Sequence, residues 1–121
     1  MGGKTVKMAQ FSAIMRSFGI RYGFYDALDW KCARYADPIV DQWGDLMKGV
    51  IGVAFAPDDE ARGKAAEALV GQCVKMNELV EDGMRHHSGK YAAGECLTIA
   101  DFVLASYIGN FIENKTNPIH E

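Results

Sequence analysis

The sequence predicts an all-α protein built as a single four-helix bundle. Four segments have apolar residues at the three- and four-residue spacing of one helix face. Three of these segments begin with residues that favour a helix start. The one stretch with strand-like alternation, residues 5–8, has no second strand to pair with. A chain of 121 residues has the length of one domain, so we expect a single domain over residues 1–121.

The first two helices are predicted from apolar spacing and from their ends. The first is expected over residues 9–22. Its apolar face contains Phe11 and Phe18, and Gly23 ends it. The second is expected to begin at Asp37, a capping acceptor that precedes a proline. Its apolar stripe consists of Ile39, Trp43, Leu46, Val50 and Val53. The glycines expected to allow close packing on another helix are Gly44, Gly49 and Gly52.

The third helix is the longest. It follows Pro57 and opens with three acidic residues at the positive end of its dipole. It is expected to run for about 28 residues until Gly89 ends it. Basic side chains in its last turn, His86 among them, suit the negative end of the dipole. Its stripe consists of Ala61, Ala65, Leu69, Cys73, Met76 and Val80.

The fourth helix is expected over residues 99–112 and is apolar on nearly every side. Thr98 and Asp101 form a predicted capping box at its start, and replacing either by Ala is expected to cost about 1–2 kcal/mol. Three other helices cannot cover so much apolar surface, so we expect an area that binds another protein. The interface candidates are Phe102, Leu104, Tyr107, Ile108, Phe111 and Ile112.

Composition narrows the class of protein. A net charge of −3 argues against a general binder of nucleic acid. No apolar run approaches the roughly 20 residues that a membrane span needs. Three cysteines without paired spacing favour reduced thiols in an intracellular protein. We expect the cytoplasm, and the basic, acid-free N-terminal stretch leaves the mitochondrion as an alternative.

Three motifs occur in the order and spacing of one known family. Residues 10–16 read Gln-Phe-Ser-Ala-Ile-Met-Arg and are followed by Gly-Phe-Tyr at 23–25. Residues 36–43 place two aspartates around a proline and before a tryptophan, and residues 94–102 contain the capping box. Together they resemble the cytosolic glutathione S-transferases, from the last helix of the thioredoxin-like domain into the all-α C-terminal domain.

The resemblance implies a truncated transferase. Residues 9–22 correspond to the end of the thioredoxin-like domain, and residues 28–113 to the C-terminal helical bundle. The family's catalytic Tyr, Ser or Cys lies earlier than the matched region, so no catalytic residue is expected here. Gln10 matches a glutathione-contacting position, but the Ser or Thr that follows it in the family is Phe11, which has no donor for a carboxylate.

We therefore expect a non-catalytic, transferase-like helical domain that acts as a structural or interaction subunit of a larger assembly, with copies of itself or with other subunits. The alternative is a glutathione transferase, present as a fragment or completed by another chain. A redox or ligand-binding module is a third hypothesis. No cofactor is expected, and glutathione enters only under the alternative.

The remaining candidate sites have simpler structural interpretations, which we prefer. Thr98 and Asp101 are expected to start a helix and not to catalyse a reaction. Adjacent histidines on a helix point about 100° apart, so they do not converge on a metal by themselves. The metal candidates considered are His86, His87, Cys96 and His120. Cys73 and Cys96 are expected to be incidental thiols, since a reactive thiol needs nearby positive charge or a helix start.

Aromatic and basic residues complete the candidates. The aromatic residues near the first two helices could line a hydrophobic pocket, but we expect them in the core. They are Tyr22, Tyr25, Trp30 and Tyr35. The basic residues before the first acidic residue are expected to form a solvated face or to contact an acidic partner. They are Lys4, Lys7, Arg16 and Arg21.

Overall fold

The computed structural model describes residues 5–115, which form an all-α bundle of four helices. The helices are α1 (Phe11–Tyr22), α2 (Asp37–Ala54), α3 (Asp59–His86) and α4 (Ile99–Tyr107). A π-helical turn, Cys32–Ala36, leads into α2, and a second one, Ile108–Ile112, continues α4. The described residues contain no strand, only an isolated bridge between Tyr91 and Gly94. The predicted fold class is confirmed.

The ends of α1 and α3 follow from local residues. α1 begins at Phe11, two residues later than predicted, because Gln10 has a non-helical backbone with φ of 71°. Gly23 ends it in the left-handed conformation, with φ of 81°. The Asp58 carboxylate caps α3 by accepting from the Ala61 N–H at 2.8 Å. α3 is 28 residues long and ends before the predicted terminator Gly89, because the chain turns extended at the next residue.

The start of α2 differs from the prediction. Asp37 has helical backbone angles and does not cap the helix, because the chain is already helical in the first π-helical turn. The Asp37 N–H donates to the Cys32 carbonyl, five residues back. Pro38 lies in the first turn of α2, where its missing N–H costs no hydrogen bond within that helix, so the proline does not end the helical segment.

The core lies between α2, α3 and α4. Its largest fully buried side chains are Ile39, Val40, Leu46, Leu69 and Met76. Buried Gln42 is satisfied by Gln72, whose side-chain oxygen accepts from Gln42 Nε2 at 2.6 Å. A Cβ on Gly49 would lie 3.0 Å from a methyl of Leu69, so this glycine permits the close contact between α2 and α3. A Cβ on Gly44 would meet nothing within 4 Å, so the close-packing prediction is wrong there.

α1 lies at the edge of the bundle, and Gly19 is its only buried residue. A Cβ at Gly19 would lie 2.7 Å from side-chain carbons of both Ile99 and Tyr25, so α1 approaches the bundle at a residue without a side chain. The linker after α1 continues this contact, because the Ile99 N–H donates to the Phe24 carbonyl at 3.0 Å. Within residues 5–115, no helix combines the length and apolarity that a membrane crossing requires.

Candidate functional site

One side of α4 and its π-helical continuation is uncovered. Phe102, Ile108 and Ile112 are 43%, 43% and 51% exposed. Ala105 and Gly109 lie between them and are also exposed. We call these five residues the uncovered α4 face. Residues 102–112 include no charged side chain, so this exposed side of the helix lacks the charged residues that usually face water.

The other interface candidates on α4 lie inward. Tyr107 is 5% exposed, and its hydroxyl donates to Asn77 Oδ1 at 3.2 Å. Burial raises the pKa of Tyr107 to about 12. Leu104 and Phe111 are half-buried against the core. The prediction of an interface role for Tyr107 is therefore wrong, because its ring and hydroxyl fasten α4 to α3.

The solvent-exposed side of α3 carries charged side chains, unlike the uncovered α4 face. Its charged residues pair along the helix at three- and four-residue spacing. These pairs are Arg62–Asp59, Lys64–Glu60 and Arg85–Glu81, at 2.8, 2.7 and 3.1 Å. The uncovered α4 face has no such pairs, whereas α3 combines its charged pairs with exposed apolar side chains such as Val70 and Val74.

The start of α1 lies beside this face. A cavity of about 210 Å³ separates α1 from α4, and Phe11, Trp43 and Phe102 are among its walls. Phe11 is 42% exposed, so the position that follows Gln10 presents an apolar ring. Gln10 itself is exposed, and its carbonyl accepts from the Ile14 N–H at 3.0 Å. This end of α1 offers no hydroxyl to a glutathione carboxylate where the resemblance places one.

A polar cluster that sequence reasoning missed joins α1 to α2. Arg16 Nε donates to Asp37 Oδ1 at 2.8 Å, and its Nη2 donates to both Asp41 oxygens at 3.1 and 3.2 Å. The Tyr25 hydroxyl donates to the other Asp37 oxygen at 3.0 Å. Burial raises the pKa of Tyr25, and Asp37 adds to the effect. Burial opposes the charge on Arg16, but the two carboxylates outweigh it and raise the pKa of Arg16.

This cluster corrects the predicted basic patch. Arg16 is paired and half-buried, so it does not belong to a solvated face. Lys7 and Arg21 are exposed, and Lys4 lies outside the described residues. In the sequence, the Asp–Pro pair at Asp37 resembles a helix cap. Nothing in that local pattern indicates that Asp37 pairs with Arg16, 21 residues earlier.

The Thr98–Asp101 pair forms a capping box. The Asp101 carboxylate accepts from the Thr98 N–H at 2.8 Å and from the Thr98 hydroxyl at 3.1 Å. Its other oxygen accepts from the N–H of Ala92 at 2.8 Å, which ties the loop before α4 to the helix start. All three donors belong to buried residues. The Asp101 oxygens are thus engaged in structural bonds.

A larger cavity of about 700 Å³ lies at the C-terminal end of α1, and we call it the linker cavity. Its walls come from the linker at residues 23–31, the first π-helical turn, and the end of α3 with the loop that follows. Tyr25, Trp30 and Tyr35 line it, and Tyr22 does not. Trp30 and Tyr22 are 65% and 60% exposed, so the prediction of core positions is wrong for both.

Of the two adjacent histidines, only His87 bonds to the loop that borders the linker cavity. His87 Nδ1 accepts from the Gly89 N–H at 3.2 Å, so the proton belongs on Nε2, 3.1 Å from the Ala92 carbonyl. His86 Nδ1 lies 2.7 Å from the Asp82 carbonyl. Among the described residues no group of three or more His, Cys, Asp or Glu could hold a metal, and His120 lies outside them.

The three cysteines lie in different environments and form no disulfide. Burial raises the pKa of Cys32 and of Cys73, which disfavours the reactive thiolate at both. Cys96 is exposed and lies at the rim of the linker cavity. Accessibility therefore distinguishes Cys96 from the other two.

Comparison with known proteins identifies the family. The chain matches the model of the glutathione S-transferase C-terminal domain over residues 44–121, which is more than half of its length. The match covers most of α2 and all of α3 and α4. No curated protein and no solved structure matches the chain. The chain therefore belongs to the glutathione S-transferase C-terminal domain family.

Proposed function

We propose that this chain acts as a non-catalytic structural or interaction subunit of a larger protein assembly. The observation that supports the proposal is the uncovered α4 face. Phe102, Ile108 and Ile112 are each about half exposed on a helix side without charge. Contiguous apolar surface of this kind marks sites of protein association.

The face is large enough to contribute useful binding energy. Burying a large apolar side chain completely is worth about 1.5–3 kcal/mol, so covering the exposed half of each is worth about 1 kcal/mol. The three large side chains together would contribute roughly 3 kcal/mol, which is about a hundredfold in affinity. Nearby Phe11 extends the same apolar surface across the small cavity.

The geometry around Gln10 favours this proposal over glutathione chemistry. The position that follows Gln10 presents the ring of Phe11, and pressing a carboxylate against it costs on the order of a few kcal/mol. The larger cavity does not compensate, because it lies at the other end of α1, about 18 Å away along a 12-residue helix. The two features therefore do not form one substrate site.

The test compares the wild-type chain with Ile108→Lys. Light scattering measures the mass in solution, and the fluorescence of a hydrophobic dye measures free apolar surface. We expect the wild type to self-associate or to bind the dye, and Ile108→Lys to reduce either signal. Val74→Lys is the matched control, since Val74 is 50% exposed on α3, and it should change neither signal. A stable wild-type monomer that binds no dye would refute the proposal.

A glutathione transferase, as a fragment or completed by another chain, is the second candidate, because the family match favours it. Calorimetry with glutathione separates the two. We expect no heat of binding with the wild-type chain. Saturable binding that Gln10→Ala removes and Glu67→Ala, at an exposed position of α3, leaves intact would instead support the transferase.

A further inference from the structure

The linker cavity has the size and the fixed walls of a small-molecule site. Its volume of about 700 Å³ lies within the range of roughly 300–1,000 Å³ that such sites occupy. Hydrogen bonds hold each wall in place. Phe24 is tied to Ile99, His87 to Gly89 and Ala92, and Tyr25 to Asp37. A ligand would therefore meet a cavity that is already formed.

The rings of Trp30 and Tyr35 lie next to each other in this cavity and are tilted relative to one another. The ring centres of Trp30 and Tyr35 are 6.3 Å apart, and their planes are inclined by 47°. The His87 ring packs nearly perpendicular to Tyr35, with the two ring centres 5.2 Å apart. The Arg34 guanidinium lies 5.6 Å from the Tyr35 ring centre, so this ring already contacts a cation. No cation contacts Trp30 among the described residues, although indole attracts cations best of the aromatic rings.

The charges along the cavity are predominantly negative. Asp26, Asp29 and Glu95 line it, against a single ammonium group, that of Lys31. None of these four side chains belongs to an ion pair within residues 5–115. The Asp26 and Asp29 carboxylates each use one oxygen to accept a backbone N–H of the linker. The carboxylates therefore favour a positively charged ligand, and the aromatic rings favour a ligand with apolar surface. A ligand that has both properties would suit the linker cavity.

We propose that the linker cavity binds a small organic cation with an apolar surface, of the quaternary ammonium class, against the ring of Trp30. The exposed indole contacts the methyl groups of the cation, and the carboxylates of Asp26, Asp29 and Glu95 supply the opposite charge. This assignment is independent of the interaction proposed for the uncovered α4 face, which lies on α4 and its continuation.

The test uses choline as the probe and 3,3-dimethylbutan-1-ol as its uncharged analogue of the same shape. Calorimetry or ligand-observed NMR measures both dissociation constants with the whole chain. Choline is expected to bind roughly tenfold more tightly than the alcohol, because only the cation gains from the ring and the carboxylates. Equal affinities, or no saturable choline binding below about 10 mM, would refute the proposal.

Two pairs of variants place the cation in the cavity. Trp30→Ala is expected to weaken choline binding roughly fivefold or more, while Phe55→Ala, which removes an exposed ring from the end of α2, leaves it unchanged. Glu95→Gln is expected to weaken it about two- to fivefold, while Glu67→Gln on α3 does not. Thermal melts establish that each variant is folded. Equal choline affinity in Trp30→Ala and wild type would overturn the assignment.

Discussion

Replacing Asp101 by Ala removes three hydrogen bonds between the start of α4 and the loop that precedes it. The backbone N–H groups of Thr98 and Ala92 lose acceptors at 2.8 Å, and both residues are buried. A buried donor left without a partner costs about 1–3 kcal/mol, and water reaching one of them lowers the sum. We expect Asp101→Ala to reduce the free energy of unfolding by about 2–4 kcal/mol, more than the 1–2 kcal/mol of an ordinary cap.

Urea unfolding followed by far-UV circular dichroism measures this loss. Thr98→Ala is the matched variant, since it removes one hydroxyl and leaves both backbone bonds to Asp101, and it should cost about 1 kcal/mol. Asp101→Asn keeps one acceptor oxygen and should fall between the two. If Asp101→Ala and Thr98→Ala lowered the free energy of unfolding equally, the two backbone bonds to Asp101 would contribute nothing and the reasoning would fail.

Three further predictions concern pH, thiols and glycines. Burial raises the pKa of Tyr107 to about 12, so the unfolded chain loses this proton first and stability should fall as pH rises from about 10 through about 12. Urea midpoints across that range measure this slope, which should be smaller in Tyr107→Phe. A thiol reagent should modify Cys96 rapidly in the folded protein and the other two cysteines only after denaturation, with Cys96→Ser removing the fast phase. Gly44→Ala should raise the free energy of unfolding by about 0.5–1 kcal/mol, and Gly49→Ala should gain less or lose stability, since its new methyl would crowd the adjacent helix. Equal urea midpoints for the two variants would contradict this.

Features fixed by neighbouring residues could be predicted from the sequence. The acidic start of α3 and the capping box of α4 depend on side chains within three or four positions of each other. The stripe on α3 was also predictable, because helix periodicity alone places Leu69 and Met76 on the buried side. Apolarity along α4 likewise indicated surface that the bundle would leave exposed.

Features that depend on distant partners could not be predicted. Asp37 resembled a cap because its partners, Arg16 and Tyr25, lie 21 and 12 residues earlier. Tyr107 resembled an interface residue because periodicity cannot tell which side of an apolar helix meets the core. The linker cavity is bordered largely by irregular segments, which have no hydrophobic periodicity that would predict a cavity. For the same reason, the sequence did not distinguish Trp30 from an aromatic residue of the core.

The Arg16 cluster has a consequence for how α1 stays in place. With Gly19 as its only buried residue and Met15 packed against the core, this helix is also held by one guanidinium shared between two aspartates. Ions in solution compete with such a partly exposed contact. The fraying of α1, followed by amide hydrogen exchange, should therefore increase with salt while the rest of the bundle stays protected.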